Sequence, residues 1–190
     1  MGRSLLGLGG NNAIIVDETA NLKLASTAIS FGTASQRRTT ARRLIVHQCV
    51  YDDVLAKLIA AYKQVEKQIG EAIDRPSNFV LPTIVGPTNE VEIVQHETFA
   101  LILHVMKYGD LDEAIDMQNA VPQGLSSSSF TTNLKRAEQF LAAWGSDCAS
   151  PTSTSALVAR RSAARSVARR KPAAAATPAA MPRRPTCAGR

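Results

Sequence analysis

The chain has 190 residues, 45% of them hydrophobic, and a formal net charge of +6. That length supports one domain with its own core, and no stretch approaches the roughly 18 continuous apolar residues of a membrane helix. The opening MGRSLLGLGGNN carries no signal-peptide pattern, so a cytoplasmic chain without a membrane partner is expected.

The charge is divided unevenly. Residues 149–190 hold nine of the 22 Lys and Arg residues and none of the 16 acidic ones. The three cysteines, Cys49, Cys148 and Cys187, form no CxxC pair, and His47, His96 and His104 lack ligand spacing to them. Neither a disulfide framework nor a metal site is expected.

In chain order, LLGLGGNNAIIV (5–16) reads as a short strand, a Gly-Gly-Asn-Asn turn and a second apolar run. Residues 19–31 place Leu22, Ala25, Ala28 and Ile29 at helical spacing, with Gly32 able to end the helix. After the polar TASQRRTTARR, the run LIVHQCV (44–50) has the β-branched content of a buried strand. On it His47 and Cys49 share a face, with no third group evident to orient them as a catalytic pair. Tyr51–Ile69 is the clearest helix: Asp52 and Asp53 open it, and Val54, Leu58, Ala61 and Val65 form one face.

FVLPTIV (79–85) predicts a strand whose proline suits an edge or a loop entry. LILHVMKY (101–108) predicts a strand, DLDEAIDMQNA (110–120) a helix with an acidic first turn, LSSSSFT (125–131) a strand and LKRAEQFLAAW (134–144) a helix. Strands alternating with helices predict an α/β domain with a mostly parallel sheet and flanking helices. From residue 149 the chain is Ala, Arg, Pro, Ser and Thr with few core-forming residues, which predicts a disordered basic tail over 149–190. Such a tail attracts polyanions non-specifically, but it has no aromatic residue for base stacking, so no specific nucleic-acid partner is expected.

Several of these runs share one resemblance. LGLGGNNAIIV, FGTASQRRTTARRLIVH, NFVLPTIV, HETFALILHV and QGLSSSSFT resemble, in their order, the active-site segments of the aldehyde dehydrogenase family. The wording is nearest the antiquitin-like branch, which oxidises aminoadipic semialdehyde. The resemblance implies that residues 1–148 are a partial catalytic domain of that family, whose members use NAD, a cysteine nucleophile and a carboxylate base.

The same resemblance places the nucleophile at Arg38, in Ser35-Gln36-Arg37-Arg38-Thr39-Thr40, and the base at Gly7. A guanidinium stays protonated and forms no covalent adduct with an aldehyde, and glycine has no side chain to take a proton. Each change is one base from the expected codon (TGC to CGC, GAG to GGG). Glu97 and Phe99 match residues that touch the nicotinamide ribose and ring, and Leu8 and Gly9 match backbone contacts near it. No phosphate-cradling G-x-G-x-x-G is present, so NAD binding by this chain is not expected.

Two breaks in the family pattern are also expected. Near residues 70–74 the helix runs directly into DRPSNFVLPTIV, where the family has a further strand and helix. After Cys148, the family's continuation G-I-A-N-V-N-I, written in GC-rich codons and read one base over, gives Ala-Ser-Pro-Thr-Ser-Thr-Ser, which is residues 149–155. The tail therefore reads as out-of-frame translation, and the family's C-terminal subunit-interface strand as lost. The expectation is an inactive family fragment. Its alternatives are an active semialdehyde dehydrogenase with a misread sequence and a polyanion-binding protein acting through the tail.

Overall fold

The structure is a computed structural model and describes residues 10–34, 40–70, 82–86, 91–96, 100–122, 124–148, 150–155 and 158–162. In chain order these form β1 (Asn12–Val16), α1 (Leu22–Ala34), β2 (Ala41–His47), a 3-10 turn (Gln48–Val50), α2 (Tyr51–Gly70), β3 (Thr83–Val85) and α3 (Glu92–Gln95). Then come β4 (Ile102–Tyr108), α4 (Leu111–Asn119), β5 (Ser126–Phe130), α5 (Leu134–Leu141), β6 (Ser150–Ser155) and β7 (Val158–Ser162).

β1 and β2 are buried along their whole length, as central parallel strands must be when helices cover both faces. The sheet order is β3-β4-β2-β1-β5-β6-β7, with β7 alone antiparallel to its neighbour. One face, with Ile14, Val16, Leu44, Val46, Leu103 and Val105, packs against Ala25 and Ile29 of α1 and Val54 and Leu58 of α2. The other, with Ala13, Ile15, Ile45, Met106 and Tyr108, packs against Val94 of α3, Ala114 and Ile115 of α4 and Phe140 of α5. The expected α/β class with a mostly parallel sheet is the one observed.

Local chemistry sets the boundaries. Asp110 caps α4, its carboxylate accepting from the Asp112 N–H at 2.7 Å. Asn133 caps α5 through the Lys135 and Arg136 amides. α5 stops at Leu141, short of the expected Trp144, because Ser146 N–H returns to the Phe140 carbonyl at 2.9 Å. At Gly145 a Cβ would collide with the carbonyls of Gln139 and Phe140, so the tight turn needs glycine there. α1 runs through Gly32 to Ala34: Ile29 and Thr33 bury the same face, and that packing outweighs the glycine. Pro82 leads into β3, the outermost strand on its side, as its proline implied.

β2 begins at Ala41 and ends at His47, earlier at both ends than the run 44–50 suggested. Cys49 therefore lies in the 3-10 turn and not on the strand. The expected disorder over 149–190 is corrected for two stretches, 150–155 and 158–162, which are strands. β5 presents an open row of backbone donors and acceptors, and a Ser/Thr strand can pair with it without large side chains. The register runs from Ser126↔Ser150 to Phe130↔Thr154, and Thr131 N–H reaches the Thr154 carbonyl at 3.2 Å. Residues 163–190 lie outside the described residues, as do 71–81, which contain the expected break. No helix among the described residues is long and apolar enough to cross a membrane.

Candidate active-site edge of the sheet

Parallel pairing puts the first residues of β1, β2, β4, β5 and β6 along one edge, through Asn12↔Ala41, Arg43↔His104, Ala13↔Ser127 and Ser126↔Ser150. Gly7, Leu8 and Gly9 precede β1 in the sequence, Arg38 precedes β2, and Glu97 and Phe99 precede β4. All six lie outside the described residues. What the structure shows is that the described residues next to each of these segments share this edge.

Asparagine amides hold the edge together. Asn12 Oδ1 accepts from Ser126 N–H at 2.8 Å and its Nδ2 donates to the Thr40 carbonyl at 3.2 Å, so one side chain ties the starts of three strands. Asn11 Nδ2 donates to the Val94 carbonyl, while its buried Oδ1 has no partner among the described residues. Gly10 leads in where a Cβ would lie 2.8 Å from Leu125 Cβ, so the backbone can approach this closely only without a side chain. The Gly-Asn-Asn run read as a turn is thus a strand entry stapled by amides.

Two guanidiniums brace the same region. At the β-bulge between β1 and β2, Arg42 Nη1 donates to the Ala100 carbonyl. Arg43 is fully buried: its Nη1 donates to the Met117 carbonyl at 2.7 Å, and its Nη2 reaches the carbonyls of Asn11 at 3.0 Å and Gln118 at 3.2 Å. Met117 and Gln118 close α4, so the cation sits at the negative end of that helix dipole. His104, opposite Arg43 in the register, is buried, and burial followed by the charges of Arg43 and Arg42 pushes its pKa below 6.5.

The described side chains at this edge are therefore braces. Cys148 is buried, 2.9 Å from the Ser127 hydroxyl, which also meets Ser146 at 2.6 Å. On that strand Ser127 and Ser129 are buried, while Ser126 and Ser128 are half-buried. Arg42 and Arg43 are turned onto backbone carbonyls.

At the opposite edge, β1 is followed by Asp17, a buried carboxylate. It accepts from the Thr19 hydroxyl at 2.7 Å, the Thr131 hydroxyl at 2.6 Å and Arg136 Nη1. Burial alone would raise its pKa, but the two hydroxyls and the guanidinium outweigh burial and hold it below 3.8. Beside it, Glu18, His47 and Cys49 each bring a ligand atom within 4.8 Å of the others. The third group missed on the sequence is Glu18, which lies on a different strand end from His47 and gives no local pattern.

Residues 1–76 and 67–149 match the model of the aldehyde dehydrogenase family. The chain is 43% identical to an aldehyde dehydrogenase family 7 member A1 homolog of Caenorhabditis elegans, in a match covering 77% of this chain and 36% of that protein. It is 41% identical to the alpha-aminoadipic semialdehyde dehydrogenase of Bos taurus, covering 77% and 35%. The chain thus spans just over a third of these relatives. Among solved structures, a Bacillus subtilis protein described as an aldehyde dehydrogenase aligns at 31% identity with a TM-score of 0.58, covering 70% of this chain and 37% of that one. A Thermus 1-pyrroline-5-carboxylate dehydrogenase with bound NAD aligns at 23% identity with a TM-score of 0.63, covering 74% and 35%, and shows the fold alone.

Proposed function

Because the chain belongs to the aldehyde dehydrogenase family, we propose that it is a catalytically silent member, derived from an enzyme that oxidised a semialdehyde to its acid with NAD. The observation that carries this reading is Arg38, in the family's nucleophile segment just before β2, joined by Gly7 at the position of the base. In the family reaction a thiolate attacks the aldehyde carbon, hydride leaves that carbon for NAD, and a carboxylate activates the water that hydrolyses the thioester. Arg38 has no lone pair to offer as a nucleophile, and Gly7 has no base.

The braces on either side of these segments are intact: Asn12 still ties β1, β2 and β5, and Arg43 still holds α4. On this reading the scaffold has outlasted the chemistry. Glu97, Phe99, Leu8 and Gly9 are remnants of the cofactor contacts, and NAD binding is not part of the proposed function. The absence of a specific nucleic-acid partner and of the family's C-terminal subunit pairing belongs to the same proposal.

Two features of the family match support the proposed lesions. It falls into two parts that overlap at 67–76, where an internal segment is proposed to be missing, and it ends at 149, where the frame is proposed to change. Sequencing the coding DNA tests both. The expected result is an arginine codon for Arg38 and a glycine codon for Gly7, with a shifted reading after codon 148 that restores the family's continuation. A read giving a cysteine codon and a glutamate codon at those two places, in an unbroken frame, overturns the proposal in favour of an active dehydrogenase.

A further inference from the structure

The cluster at the carboxyl ends of β1 and β2 lies at the edge opposite the reaction segments and has no part in the proposed function. His47 is buried at the end of β2, Glu18 follows Asp17 at the end of β1, and Cys49 lies in the 3-10 turn; the last two are exposed. His47 Nε2 lies 3.2 Å from the Gly109 carbonyl, which can only accept, so Nε2 carries a proton and donates it. Tyr108 packs edge-on to the ring at 5.2 Å and fixes its plane. Nδ1 lies 3.8 Å from Glu18 Oε2, and among the described residues it accepts a long 3.3 Å contact from the Cys49 N–H, which a cation on Nδ1 would displace. Two acceptors facing each other beside a thiol are joined best by a cation.

We propose that Glu18, His47 and Cys49 form a three-ligand site for a divalent cation of borderline softness, with Zn²⁺ the best fit to one oxygen, one nitrogen and one sulfur. Bonds of about 2.0 Å to nitrogen and oxygen and about 2.3 Å to sulfur set tetrahedral ligand atoms roughly 3.3–3.6 Å apart. The His47–Glu18 distance of 3.8 Å is close to that, and the remaining spacings, within 4.8 Å, close by rotation of two exposed side chains. The Gly109 carbonyl supplies the outer hydrogen bond that orients a metal-bound imidazole. Arg136 takes the other carboxylate oxygen, Oε1, at 3.0 Å, and its charge is also met by Asp17, which leaves Oε2 to the cation. On binding, the Cys49 thiol gives its proton to solvent and its sulfur becomes a thiolate ligand, with water in the fourth position. A cation there pins the end of β1 to the turn that starts α2.

The site escaped the sequence because its ligands come from two strand ends and a turn, without the short spacings of a zinc motif. Titration of the full chain with Zn²⁺, and with Co²⁺ as a visible probe, tests it. One equivalent should bind, with the near-ultraviolet absorption of a cobalt–thiolate bond. Cys49→Ser should abolish that absorption and Cys148→Ser should leave it, while Glu18→Gln weakens binding about tenfold or more. Both ligand substitutions are at exposed positions, so the fold is retained. Absorption that survives Cys49→Ser, or no uptake at about 0.1 mM free Zn²⁺, overturns the proposal.

Discussion

Arg43 on β2 and Gln118 at the end of α4 are joined twice: Nη2 meets the Gln118 carbonyl at 3.2 Å and its side-chain Oε1 at 3.3 Å. Both residues are fully buried, and the same guanidinium reaches Met117 and Asn11. Removing the guanidinium leaves several carbonyls without their donor inside the core. Arg43→Met should therefore lower the unfolding free energy by about 3–5 kcal/mol, read from urea titration followed by circular dichroism. Arg43→Lys should recover little, since a compact ammonium cannot span the same fork of acceptors. A loss below about 1 kcal/mol for Arg43→Met would show that the brace is dispensable.

Asp17 gives the fold an acid limit. Its carboxyl is held below 3.8 in the folded chain, so the unfolded chain binds that proton more readily. Its contribution is complete above 3.8 and is lost as pH falls through the lower, folded value. Asp17→Asn should cost about 1–3 kcal/mol near neutral pH. It should also flatten the decline in urea midpoint as pH falls below about 4. An unchanged slope in the variant would place the acid sensitivity elsewhere.

His104 acts in the same direction at higher pH. Burial and the charges of Arg43 and Arg42 hold it below 6.5, so the unfolded chain takes up a proton that the folded one refuses. Stability is full above 6.5 and declines as pH falls below it. His104→Gln should reduce the difference in urea midpoint between about pH 7.5 and pH 5.5 measured for the parent chain. Equal differences in the two proteins would count against this role.

How much of this was legible in the sequence depends on how local the cause is. α2, the acidic opening of α4 and the edge position of β3 follow from periodicity, capping residues and a proline, which act over a few residues. The start of β2 did not, because Arg42 and Arg43 belong to a polar run in the sequence, and the carbonyls of Ala100, Met117 and Gln118 that they meet lie far along the chain. β6 was missed for a related reason: Ser and Thr carry little strand signal, and its pairing is set by the open edge of β5. The motif order brought Gly7, Arg38 and Glu97 into one reading, and the parallel register brings their described neighbours to one edge. Glu18 beside His47 could be seen only once β1 and β2 were paired.

The central claim is that a family scaffold is present without its chemistry. The most direct test incubates the full chain at micromolar concentration with NAD and aminoadipic semialdehyde and follows NADH by absorbance through the first turnover. The account predicts no NADH above the protein-free blank, with neither a burst nor a steady rate. A burst matching the protein concentration would mean that hydride transfer occurs on this chain, and the silent-member reading would be wrong.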